Sequence, residues 1–152
     1  GAEVLHGVDA ADLAASLRAA SLRAALHPRP SHCAGNHQAH AAHPLQGAFD
    51  RVIWNFPCIG GAEEGADAQA EEMAANRALI QAFFQTLPPV LAGGGEVHVT
   101  HKTKAPFGHW GLPALARSAT PDNQASPLTY EGRVVFDASG YPGYNNRKVN
   151  TG

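Results

Sequence analysis

The sequence predicts an α/β domain on a parallel sheet with crossover helices, with the doubly wound sheet as the leading architecture. Three observations predict it. Strand patterns and helix patterns alternate along the 152 residues. The strand runs are β-branched and aromatic, whereas the helical runs are rich in alanine and leucine. The joins carry Gly and Pro, 16 and 11 in number, the residues that end regular elements. Although 44% of the chain is hydrophobic, 29 of those positions are alanine. The larger apolar residues therefore suffice for one modest core.

Residues 3–8 read as a short strand ending at Asp9. Residues 11–26 repeat the unit ASLRAA, and Leu13, Leu17, Leu22 and Leu26 form a stripe at helical spacing. Alanine has the best helix propensity, so a helix is expected here. Residues 27–48 differ in kind, with three prolines, two glycines and five histidines (His27, His32, His37, His40 and His43) in no period. That composition is expected to be a disordered insertion. Its histidines and Cys33 are ligand types zinc prefers, but their spacing matches no paired-ligand pattern, so no metal is expected. Residues 49–54 (FDRVIW) are a strand, which Pro57, Gly60 and Gly61 break. A helix follows over about 67–87, with Met73, Asn76, Ile80, Phe83, Phe84 and Leu87 on one face. Acidic residues fill its first turns and suit the helix dipole. Pro88 and Pro89 end it, glycines 93–95 form a tight turn, and residues 96–100 (EVHVT) are the next strand. A short helix at 112–119 and a last strand at 130–137 complete the expected order.

Several classes are excluded. No run reaches the roughly 18 apolar residues of a membrane span. Two cysteines with no C-x-x-C spacing exclude a disulfide-stapled scaffold. The net charge of −2 excludes a strongly basic arginine-rich binder. The charge is unevenly spread: residues 1–96 sum to −5 and residues 97–152 to +3. A local basic surface in the second half is compatible with that split, as are scattered solvated charges.

In open α/β sheets ligands bind beyond the carboxyl ends of the strands. Asp9 and Ala10, Asn55-Phe56-Pro57, and residues 101–104 leave such ends. Asp9 suits an exocyclic amine, but from spacing alone the cap of the next helix is the better reading, and one residue can do both. In Asn55-x-Pro57 the proline stiffens the turn, so the amide is aimed, and an amide suits a nucleobase edge; the same residues also read as a simple strand-ending turn.

The runs FDRVIWNFPCIGG, NRALIQAFF, GGGEVHVTHKT and YPGYNNRK, taken in order, resemble the ribosomal RNA (uridine-N3)-methyltransferase family. The lead-in VLHGVDAADL resembles that family's third strand with its Asp-Ala step. The resemblance spans about residues 3–13 and 49–149. It implies a Rossmann-like domain dependent on S-adenosylmethionine that methylates N3 of a uridine in large-subunit ribosomal RNA. By the same resemblance Asp9 and Ala10 lie against the cofactor's adenine, while Asn55, Phe56 and Pro57 lie beside the methyl group and face the target base. Lys102, Lys104 and Arg147 are the expected phosphate contacts, with Arg133 and Lys148 as further candidates. Phe56, Trp54 and Trp110 are candidate stacking surfaces, though core packing is the commoner fate of such rings. The family implies an intracellular, nucleolar or cytoplasmic setting, with ribosomal RNA as partner and no membrane.

Three departures stand out. Cys58 occupies the place of a family histidine, and His101 that of an apolar residue. The glycine-rich segment that opens the family domain and the acidic residue after its second strand are absent, and no G-x-G-x-x-G occurs. The resemblance thus implies a partial domain over 1–152, lacking its first strands, inactive by itself and weak in binding S-adenosylmethionine. The rival expectation is a non-catalytic Rossmann-like module that binds RNA or a partner protein.

Overall fold

A computed structural model describes residues 5, 7–26, 47–59, 66–119 and 128–145. Helix α1 (Leu13–Leu26), strand β1 (Phe49–Asn55), helix α2 (Ala66–Thr86), strand β2 (Leu91–Thr100) and helix α3 (Leu112–Arg117) follow in order. A 3₁₀ turn at Phe107–Trp110 precedes α3, and another spans Ala138–Gly140. Strands β1 and β2 pair in parallel, joined by α2. The mixed α/β class expected from the alternation is therefore observed.

α2 organises the core. Its apolar face buries Ile80, Phe83 and Phe84, which pack with Leu13, Leu17, Leu87, Val90, Trp110 and Leu115. Trp54 of β1 meets Phe83 with ring centroids 4.5 Å apart. Period-2 alternation puts Val52 and Trp54 on the half-buried side of β1 and leaves Ile53 60% exposed. Arg51, Glu96 and His98 are exposed as well and form a polar row, with Arg51 ion-paired to Glu96 at 2.7 Å and His98 Nε2 in hydrogen-bond contact with Glu96 at 2.9 Å. The described sheet thus has two strands and one open polar face. A doubly wound sheet would cover both faces, and that part of the expectation is not met among the described residues.

Glycines 93–95 lie within β2 and not in a separate turn. Two steps along β1, from Phe49 to Arg51, correspond to five along β2, from Leu91 to Glu96. The glycines take up the excess as a bulge. Gly94 has φ +77, and a Cβ on Gly95 would come within 2.9 Å of Leu91 and of the Ala92 carbonyl oxygen. Only glycine suits both demands.

The strand expected at 130–137 does not form. Val134 and Val135 are 97% and 89% exposed, and among the described residues no strand pairs with this segment. A ladder partner makes a strand, and β propensity alone does not. Of the strand expected at 3–8, Leu5, Gly7 and Val8 are described and are not strand, while the rest lies outside the described residues. The insertion expected at 27–48 also lies outside them, apart from Gly47 and Ala48. No described helix is long and apolar enough to cross a membrane.

Candidate functional site

The chain leaves β1 through a stiffened bend. Asn55 ends the strand, and its Oδ1 accepts a 2.7 Å hydrogen bond from Thr100 Oγ1 at the end of β2. The Phe56 amide donates to the Thr100 carbonyl at 2.8 Å, which extends the ladder by one rung. Phe56 then adopts φ +53, the one positive φ of a non-glycine residue among those described. A bulky residue in this left-handed region is strained, and such strain collects at functional sites. Phe56 is 46% exposed, whereas Pro57 is buried. The bend therefore presents an aromatic face and the Asn55 amide together at the carboxyl end of the sheet.

Two adjacent residues of α2 hold the surrounding loops. Asn76 is 1% exposed, its Oδ1 accepts from the Ile59 amide at 2.7 Å, and its Nδ2 donates to the Glu72 carbonyl at 2.9 Å. Arg77 donates through Nη1 to the carbonyls of His109 and Trp110, at 3.1 and 2.8 Å. Neither was singled out as a site residue from sequence. The available signal was an amide standing on the apolar face of a helix.

The loop after β2 carries His101, packed against Trp110 and Phe107 with ring centroids 4.7 and 6.1 Å away. Its Nε2 is buried without a hydrogen-bond partner among the described residues. Burial pushes the His101 pKa below the ordinary imidazole value, with the Lys102 charge acting the same way and a backbone hydrogen bond opposing. The unfolded chain therefore takes up this proton first as pH falls. Stability from His101 is fully present above its unfolded pKa of about 6.5 and declines as pH drops below it. Melting temperatures of wild type and His101→Phe, compared across pH 7.5 to 5.5, are expected to show a shallower decline for the variant. An equal decline would contradict the assignment.

Lys102 and Lys104 are exposed, and Lys102 Nζ sits 4.7 Å from the Phe107 ring centroid. Arg147 and Lys148 lie outside the described residues. Cys58 is exposed. Burial of its thiol and the nearby Glu72 carboxylate raise its pKa against the opposing pull of Lys102, so it is a poor proton acceptor at neutral pH. Trp110 is 2% exposed and Trp54 packs on Phe83, so both candidate stacking rings serve the core and Phe56 remains.

Asp9 and Ala10 do not join this group. Asp9 Oδ1 accepts from the Ala11 amide at 2.9 Å, and the Asp9 amide donates to Ser16 Oγ at 2.9 Å, a capping role at the start of α1. The Ala10 carbonyl accepts from Thr86 Oγ1 at 3.4 Å. Thr86 ends α2, beside the amino ends of the strands. It lies ten residues beyond Asn76, roughly 15 Å along the helix at 1.5 Å per residue. The pair expected to share one cofactor with the bend is thus at the opposite end of the sheet. Among the described residues no group of three His, Cys, Asp or Glu side chains could hold a metal ion.

A family model described as BMT5-like, rRNA (uridine-N3-)-methyltransferase BTM5-like, matches residues 1–148. The heavy metal-associated isoprenylated plant protein 41 of Arabidopsis thaliana is 39% identical over 100 residues, 66% of this chain and 18% of that protein. An uncharacterized Arabidopsis thaliana protein is 29% identical over 104 residues, 68% of this chain and 46% of its own length. The mouse (Mus musculus) ferredoxin-fold anticodon-binding domain-containing protein 1 homolog is 44% identical over 52 residues, 34% of this chain and 7% of that protein. The matched region spans less than half the length of each of these relatives. No solved structure matches the chain.

Proposed function

The chain belongs to the BMT5-like rRNA (uridine-N3-)-methyltransferase family, and from that premise we propose that it contributes the base-receiving half of a Rossmann-like domain that methylates N3 of a uridine in ribosomal RNA. The observation that carries the reading is the strained bend. Phe56 at φ +53 stands beside an Asn55 whose Oδ1 is already committed to Thr100. Its Nδ2 makes no hydrogen bond among the described residues and is a donor available to a ligand. Uracil presents two carbonyl acceptors flanking N3–H, so Nδ2 serves one carbonyl and leaves N3 clear. The exposed Phe56 ring offers a face for an unstacked base. Buried Pro57 fixes the turn, while Lys102, Lys104 and Arg147 supply phosphate contacts.

S-adenosylmethionine, the donor the family implies, supplies an electrophilic methyl group when bound. The described residues do not fit it as a single pocket, because Asp9 and Ala10 are tied to the far end of α2. The work of residues 55–57 is to orient the base. That same separation favours a second reading, a non-catalytic relative that binds RNA. Mass spectrometry of ribosomal RNA nucleosides with and without the gene separates the two. Loss of 3-methyluridine on deletion is expected, and an unchanged level would leave the binding module.

A further inference from the structure

The two loops that leave the carboxyl ends of β1 and β2 are separate in sequence, yet consecutive residues of one helix hold both. Asn76 takes the Ile59 amide, two residues beyond Pro57. Arg77 takes the His109 and Trp110 carbonyls in the loop that follows Lys102 and Lys104. From this geometry we propose that Asn76 and Arg77 are positioning residues, a brace that sets the aromatic bend at Phe56 in register with the lysine-bearing loop. The proposal rests on the reading that the bend receives the target base.

Its physical basis is the cost of the two tethers. A buried amide is expensive unless each of its polar atoms is paired, and Asn76 meets that demand by engaging the loop and its own helix. Leucine would fill the same volume on this face more cheaply if packing were all that was required. The tether also holds the strain at Phe56 in place: without it, residues 56–59 can relax towards a negative φ, and the ring and the Asn55 amide would lose their common aim. Arg77 acts at the partner loop. Its Nη1 alone makes both bonds, to successive carbonyls, at the end of a side chain that reaches farther than lysine's. Gly111, next in the chain, has φ +66, which favours glycine, and a Cβ there would lie at ordinary contact distance, 3.6 Å, from Nη1.

The test uses the intact gene product with Asn76→Ala, Arg77→Ala and Arg77→Lys, read by hydrogen exchange of the loop segments and by kcat and KM. Loss of either tether is expected to speed exchange of its own loop about ten-fold, 55–59 for Asn76 and 107–111 for Arg77, while the core segment 80–87 is unchanged. The same variants are expected to lower kcat about ten-fold with KM for RNA within about two-fold, a loss of alignment and not of uniform binding. Arg77→Lys is expected to recover less than half of the loss. Should Asn76→Ala fail to fold, Arg77→Ala, which opens no core cavity, decides the matter. Unchanged loop exchange overturns the proposal, as does wild-type kcat in both variants when Asn55→Ala is inactive. If Asn55→Ala is fully active, the functional reading has failed, and loop exchange alone then decides whether the brace exists.

Discussion

Asn55→Ala in the intact gene product is expected to lower kcat/KM for ribosomal RNA methylation about 30- to 100-fold, about 2–3 kcal/mol of transition-state stabilisation. The side chain is exposed at the end of β1, and among the described residues its hydrogen bond is to the half-buried Thr100. Removing it leaves no buried group unpaired, so the melting temperature is expected to move little. Asn55→Asp sharpens the case: it keeps an oxygen for Thr100 but replaces the Nδ2 donor with an acceptor, which faces a uracil carbonyl unfavourably. The two variants should be comparably impaired. Activity measured beside thermal melting checks the pair, and an active Asn55→Asp would show that the amide does not address the base.

Phe83→Ala is expected to have the largest effect on stability, about 3–5 kcal/mol. Phe83 is 2% exposed and contacts both Trp54 and Phe84 in the aromatic layer between α2 and β1. Two strands cannot sustain a sheet by themselves, so this layer is what holds β1 to the helix. At roughly 2–4 °C per kcal/mol for a chain of this size, the melting temperature should fall by about 6–20 °C. Val134→Ala is the matched control. That side chain is 97% exposed, and its loss should change stability by no more than about 0.5 kcal/mol. A comparable fall in both variants would mean that the core is not where the packing places it.

What the sequence disclosed follows from which signals are local. α1, β1 and α2 were legible because propensity, period and breakers agree within each segment, as the Pro88-Pro89 stop does at the end of α2. The segment 130–137 misled because its alternation describes a surface that fits a sheet and says nothing about whether a neighbouring strand is there. Glycines 93–95 misled in a milder way: a bulge and a tight turn ask for the same residues. For the site, the 55–57 bend was visible through Pro57 and the order of motifs. The separation of Asp9 and Ala10 from it was not, since that depends on where α1 packs, and Leu13 and Leu17 record only that it packs somewhere apolar. Asn76 was in view as part of an apolar face. Its meaning needed the tertiary contact with Ile59.

The claim on which the account turns is that the bend after β1 receives the target base. Photo-crosslinking the intact gene product to ribosomal RNA carrying 4-thiouridine, followed by tryptic peptide mapping, tests it most directly. The expected adduct lies in the peptide 52–77, between cleavage at Arg51 and at Arg77, and is centred on Phe56. Adducts confined to the peptide 134–147, which holds the exposed aromatic residues Phe136, Tyr141 and Tyr144, would contradict it.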